Sequence, residues 1–240
     1  MENSLQGKSA LVIGGTSGIG YSVAKALLHE SISVVAQGKT HSQQLEAFYS
    51  QGSAAVLMCD LQDRTYLQEL CRYAQAADIL CISYGPFLQK SLDTTTMEEW
   101  INTVYANLTL PGILISAALT GMKERKWGRI LLFGGTETQI IRGFKTNPAY
   151  GAAKTGLMSL VRSISMGYAA YNITANAICP GFTDNGLLSQ ADQIALAQKS
   201  PDGRLITREE IADAAIFLLK NSTYNGIVMP IDKGWTSLSV

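Results

Sequence analysis

Short runs of aliphatic residues alternate along the chain with longer stretches in which apolar positions recur every three or four residues. The first run, SALVIG (9–14), is followed by a helical period from about Ile19 to Leu28. ISVVA (32–36), a second helical stretch, AAVLM (54–58), a third helical stretch and DILCI (78–82) come next. A long helical pattern runs from Thr96 to about Thr120. RILLFG (129–134), a helix containing Ala152 to Ser165, and ITANAIC (173–179) follow it. A loop with a short helix, the helix REEIADAAIFLLK (208–220) and the run GIVMPI (226–231) complete the pattern. Runs of four to six apolar residues read as strands buried on both faces, and their alternation with helices predicts a parallel sheet with helices packed on both sides. Seven such strands without an intervening linker predict one α/β domain of the doubly wound, Rossmann type over 1–240.

Composition supports that size of core. Of 240 residues, 47% are hydrophobic and 16% charged, and nineteen basic side chains balance nineteen acidic ones. A neutral chain has no long-range field to hold nucleic acid or an anionic membrane, so neither is expected as a partner. Cys59, Cys71, Cys81 and Cys179 form no CxxC pair and lie in or beside apolar runs, as reduced thiols of a cytoplasmic protein do. His29 and His41 have no second ligand near them in sequence, and no metal site is expected. The N-terminus lacks the charged start and long apolar region of a signal peptide. The longest apolar stretch, LPGILISAALTGM (110–122), contains Pro111 and Gly112 and falls short of the roughly 20 residues a membrane helix needs, so a soluble protein is expected.

Three groups of residues carry candidate chemistry. LVIGGTSGIG places Gly14, Gly18 and Gly20 between the first strand and the first helix, where a tight turn lets backbone approach a pyrophosphate at the helix N-terminus. The second strand ends in VVAQGKT, which offers Lys39 and no carboxylate for a ribose 2′-hydroxyl. Lys39 is either the partner of a 2′-phosphate, which favours NADP(H) over NAD(H), or a solvated loop lysine. Tyr150 and Lys154 are four apart and share one helix face, where a cation favours the ionised phenol and the pair can exchange a proton with a carbonyl or alcohol oxygen.

The glycine turn, NPAYGAAK (147–154), Asn107 in VYANLTLPG, and ITANAICPGFTDN (173–185) stand in the order found in the classical short-chain dehydrogenase/reductase family, which the chain resembles over essentially its whole length. The likeness extends to its 3-oxoacyl-(acyl-carrier-protein) reductase-like members. It implies hydride transfer between a nicotinamide cofactor and a carbonyl or alcohol substrate, with Tyr150 as acid/base and Lys154 tuning it and holding the ribose. Asn107 would position a water. Thr16, Ser17 and Ile19 of the glycine turn, Asp60 and Leu61 at the adenine, Gly85 of ISYG, and Pro180, Gly181 and Thr183 of the PG loop would complete the cofactor site. The resemblance also implies a homotetramer, or a homodimer, packed through the long helix and the tyrosine–lysine helix.

The sequence departs from that pattern in four places. Ile13 replaces a threonine of the glycine turn, Ile82 and Tyr84 alter the stretch after the fourth strand, and Asn185 stands for a hydroxyl residue. Gly135 stands where the family has a substrate-orienting serine. Either Thr136 substitutes for that serine, or backbone N–H groups of the Gly134–Gly135 turn do, or no donor does. Arg142 and Lys145 are read as solvated charges or as attractants for an anionic substrate. A nucleotide-binding protein without catalysis, and a lyase or epimerase on the same fold, remain as alternatives.

Overall fold

The computed structural model of the chain describes residues 5–40, 45, 48, 52–184, 186 and 188–236. The strands are β1 (Ser9–Ile13), β2 (Ser33–Gly38), β3 (Ala54–Met58), β4 (Ile79–Ile82), β5 (Gly128–Phe133), β6 (Ile173–Pro180) and β7 (Val228–Ile231). They pair in parallel in the order β3-β2-β1-β4-β5-β6-β7. The order reverses between β1 and β4, which opens a crevice at the carboxyl ends of these strands. The helices are α1 (Gly18–His29), α2 (Leu67–Ala76), α3 (Met97–Val104), α4 (Leu110–Arg125), α5 (Pro148–Tyr168), α6 (Gln190–Ala197) and α7 (Arg208–Lys220). The expected second helix, with His41, falls almost wholly outside the described residues, as does Asn185.

Alternation along each strand sorts its side chains between two cores. Leu11 and Ile13 of β1, Leu80 and Ile82 of β4, and Ile130 and Leu132 of β5 pack with Leu70 of α2, Leu114 of α4 and Val161 of α5. Their neighbours Val12, Cys81 and Leu131 face the other way, onto Val23 and Leu27 of α1 and Ile211 and Leu218 of α7. Because both faces are covered, the inner strands are mostly apolar, which is why they read as near-continuous runs, and the polar residues they do carry, Gln37, Arg129, Thr174 and Asn176, are buried.

The long helical pattern becomes two helices joined by a π-turn at Tyr105–Thr109. Pro111 has no N–H to offer the Asn107 carbonyl four residues back and crowds it, so the helix pitch widens there. With that turn, Met97–Arg125 is one helical stretch of 29 residues, long and apolar enough by composition to cross a membrane. The long helical pattern expected from Thr96 to about Thr120 matches most of this stretch, whereas the apolar run counted within it covered 110–122 alone. Leu110, Leu114, Ala118 and Met122 of that stretch are buried in the first core.

α2 and α4 approach so closely that a Cβ on Gly121 would run into the backbone carbonyl of Gln75. Neither backbone can give way cheaply. Gly121→Ala is expected to destabilise the fold by about 1–3 kcal/mol, and thermal unfolding followed by circular dichroism should show a Tm lowered by several degrees. An unchanged Tm would show that this crossing is loose.

Candidate active site

A cavity of about 790 Å³ opens at the carboxyl ends of β1, β4, β5 and β6. Gly14, Ser17, Gly18, Ile19, Gly20, Gly85, Thr136, Tyr150, Lys154, Pro180, Gly181 and Thr183 all line it. Gly14 has φ of 74° and Gly18 of 54°, both left-handed, so the turn requires glycine there. Ser17 caps α1 without a side-chain hydrogen bond and the first turn carries no acidic residue. The leading N–H groups of α1 therefore face the cavity with a positive field and no competing anion, a cradle that fits a pyrophosphate.

The missing threonine at Ile13 is compensated by two side chains that sequence reasoning passed over. Gln37, buried in β2, accepts from Gly14 N at 3.0 Å and donates to Cys59 O at 2.8 Å. Ser83 Oγ lies 3.4 Å from the carbonyl oxygens of Ile13 and Gly14 and donates toward them. A glutamine interrupting the apolar run SVVA was the available signal for Gln37.

Thr16, Lys39, Asp60 and Leu61 lie outside the cavity wall. Thr16 packs its side chain against Gly38 at the end of β2. The β2–β3 register sets Gly38 beside Met58, so Lys39 and Asp60 emerge as neighbours and form an ion pair at 2.6 Å. That pair lowers the Asp60 carboxyl below its usual range and raises Lys39. Leu61 is a core residue.

Tyr150 and Lys154 stand on α5, which starts at Pro148 and runs for 21 residues. Lys154 is buried and its Nζ donates to the Phe133 carbonyl at 2.8 Å. Asn107, in the π-turn, donates through Nδ2 to Pro86 O at 3.1 Å and Thr103 O at 3.0 Å, while its buried Oδ1 has no protein partner. A Cβ on Gly85 would sit 2.5 Å from Lys154 Nζ and 2.6 Å from Asn107 Oδ1, so the ammonium and the unpartnered oxygen flank one small space. Asn107 thus stands directly behind the cavity wall. Desolvation decides both ionisations: burial pushes Tyr150 up to about 12 and Lys154 down to about 8. The ammonium, 5.9 Å from the phenol ring centroid, does not lower the tyrosine as the helix spacing suggested. The phenol therefore holds its proton at neutral pH, the form that can donate to a carbonyl oxygen.

Three donors of the loop after β5 are already engaged, within the loop and with β6. Gly134 N donates to Ile178 O at 2.8 Å and Gly135 N to Thr138 Oγ1 at 2.9 Å. Thr136 lines the cavity, but its hydroxyl donates to Pro180 O at 3.1 Å. A Cβ at Gly135 would lie 2.9 Å from Tyr150 Oη, so the glycine does face the tyrosine as the aligned strand implied. Arg142, read in sequence as a possible anion attractant, is ion-paired with the buried Glu137. Lys145 is exposed and does not line the cavity. Among the described residues no metal cluster of acidic, histidine or cysteine side chains occurs.

Residues 14–236 match a family model described as Enoyl-(Acyl carrier protein) reductase. The chain is 29% identical to a D-beta-hydroxybutyrate dehydrogenase of Cupriavidus necator over 97% of this chain and 99% of that one. It is 31% identical to a 3-oxoacyl-(acyl-carrier-protein) reductase of Pseudomonas aeruginosa over 96% and 98% of the two chains. A solved structure of a putative NAD(P) dependent gluconate 5-dehydrogenase from Beutenbergia cavernae with bound NADP superposes with a TM-score of 0.88 at 25% identity, covering 99% of this chain and 100% of that one.

Burial of Lys154 has a measurable cost. The fall from 10.5 to about 8 corresponds to about 3 kcal/mol of penalty on the charged form at pH 7. Because the folded value is depressed, the unfolded chain binds the extra proton between pH 8 and 10.5, so this penalty disappears as pH rises through that window. Lys154→Met, which fills the same space without charge, should be more stable than the parent at pH 7 by about 1–3 kcal/mol. Urea unfolding of the two proteins at pH 7 and pH 10 should show the gap closing, and a gap that stays constant would place the Lys154 charge in water.

Proposed function

The chain belongs to the classical short-chain dehydrogenase/reductase family of NAD(P)-dependent oxidoreductases acting on carbonyl and alcohol groups, and we propose that it interconverts a ketone and a secondary alcohol with NADP(H). The observation that carries this reading is the meeting of Tyr150, the buried ammonium of Lys154 and the unpartnered Asn107 Oδ1 at the back of a cavity whose front is the glycine cradle of α1.

Bound NADPH would supply the hydride. The glycine turn and α1 would hold its pyrophosphate, Lys154 its ribose, and Lys39 a 2′-phosphate at the end of β2. Tyr150 donates its proton to the carbonyl oxygen as that oxygen gains electrons, and the high phenol affinity for the proton keeps it in place until then. Lys154 then faces a phenolate and stabilises it. Asn107 Oδ1, an acceptor in need of a partner, supports return of a proton toward Lys154 through water. Gly134 N, Gly135 N and the Thr136 hydroxyl are engaged elsewhere, so at the reacting carbonyl Tyr150 takes over the donor role, with Thr136 Oγ1 left as an acceptor at the cavity wall.

The similarity of the fold to a structure with bound NADP supports the cofactor choice. Trp100 and Ile101 of α3 and Met166 of α5 are exposed apolar side chains on the helices expected to pair, which supports assembly into a homotetramer or homodimer. A cytoplasmic location accords with the four free thiols.

Tyr150→Phe removes only the acidic proton. It should lower NADPH-dependent ketone reduction by roughly 10²–10⁴-fold while NADPH affinity, read by fluorescence titration, stays within about threefold. Full activity in this variant would remove Tyr150 from the chemistry. Lys39→Ala should raise KM for NADPH about tenfold and leave KM for NADH unchanged. Equal shifts for both cofactors would mean that Lys39 meets no 2′-phosphate.

A further inference from the structure

The wall beside Tyr150 is aromatic and rigidly built. Phe87 meets the Tyr150 ring edge-on, with centroids 5.0 Å apart and planes at 78°, and remains 60% exposed toward the cavity mouth. The backbone before it is anchored, because Asn107 Nδ2 donates to Pro86 O. Phe144 lies flat on the α5 backbone at Gly151, the residue after Tyr150, where no Cβ would fit beneath its ring. Phe87, in the loop after β4, therefore meets the phenol, while Phe144, in the loop after β5, covers the helix one residue on, and both rings line the cavity.

Charge in the same wall is already committed. Among the described lining residues the ionisable charges are the Glu137 carboxylate and the Lys154 ammonium. Glu137 is paired with Arg142, whose guanidinium lies 5.8 Å from the Phe144 ring centroid. Glu137 holds this position with φ of 62°, a left-handed conformation rare outside glycine and tolerated where surrounding structure fixes it. Lys154 is behind the tyrosine and bound to Phe133 O. A substrate carboxylate would lose its water here without a free cation to receive it, in a wall that already holds the Glu137 carboxylate.

Resting on the carbonyl-reductase reading above, we propose that the substrate is an uncharged ketone with an aromatic or otherwise apolar group beside the carbonyl, clamped between Phe87 and Phe144, and that Phe87 determines this specificity. With the Tyr150 hydrogen bond fixing the substrate oxygen, contact between apolar faces orients the group beside the carbonyl. The reaction balances as ketone, NADPH and a proton giving secondary alcohol and NADP⁺: a C–H and an O–H bond form on the substrate as its carbonyl π bond, a C–H bond of NADPH and the Tyr150 O–H bond break, and a solvent proton restores Tyr150.

Two methyl ketones that differ in the distal group separate the possibilities: 4-phenylbutan-2-one, which is neutral and aromatic, and 3-oxobutanoate, which is an anion. With NADPH, kcat/KM for the phenyl ketone should exceed that for the anion by about tenfold or more. Phe87→Ala should lower the ratio of kcat/KM for the phenyl ketone to that for 3-oxobutanoate about tenfold, and Phe87→Leu should recover part of that ratio. Preference for 3-oxobutanoate, or equal losses on both ketones, overturns the proposal and leaves the oxidoreductase reading standing. Saturation-transfer NMR on the protein without cofactor gives a readout apart from turnover: signal should pass to the phenyl protons of 4-phenylbutan-2-one and weaken in Phe87→Ala. Transfer without turnover of either ketone would leave the aromatic clamp in place and remove the reductase reading. No transfer to the phenyl protons in the parent protein sinks the clamp.

Discussion

The arrangement of the site turns on one buried charge. Lys154 carries its ammonium into the protein with a single direct hydrogen bond, to the Phe133 carbonyl at the last residue of β5. A cation so placed demands electron-rich neighbours, and the fold brings them from separate elements: β5 supplies Phe133 O, the π-turn between α3 and α4 supplies Asn107 Oδ1, and α5 sets Tyr150 one helical turn away. Gly85 at the end of β4 completes the set by having no side chain, since a Cβ there would press on both Lys154 and Asn107. None of these features is explained by core packing alone. A methionine would fill the Lys154 site at lower cost, and a regular helix would bury no orphaned oxygen at Asn107.

The π-turn shows how sequence and chemistry meet. Pro111 frees the Asn107 carbonyl from the helix ladder, and the widened turn carries the Asn107 side chain to Pro86 O and Thr103 O. Pro86 in turn precedes Phe87, so Asn107 behind the reaction centre is hydrogen-bonded to the segment that carries the aromatic wall in front of it. Displacing Phe87 and disturbing Asn107 are therefore linked through the Pro86 carbonyl.

Much of the fold was legible because parallel strands covered on both faces are mostly apolar and alternate with helices of regular apolar period. The glycine turn and the tyrosine–lysine spacing were legible for the same local reason: each function depends on residues near one another in the chain. Features built from distant segments were not. Gln37 braces Gly14 across a strand pair, Lys39 meets Asp60 only through the β2–β3 register, and Arg142 finds Glu137 only because Glu137 adopts a left-handed turn. The sign of the Tyr150 shift was also hidden, because spacing reveals the nearby cation but not the burial that outweighs it.

Gly135 brings the remaining question of the site to a physical answer. Alignment suggested that a hydroxyl had been lost and that Thr136 or the turn's N–H groups could replace it. Those donors are all engaged within the loop and with β6, while the Gly135 α-carbon lies so close to Tyr150 that a side chain there would begin 2.9 Å from the phenol oxygen. The tyrosine and the glycine are thus mutually fitted: Tyr150 takes the space that a serine side chain would enter. The hydrogen bond at the reacting carbonyl therefore comes from Tyr150 itself, and the shape and polarity of the walls, which include the rings of Phe87 and Phe144, add selectivity.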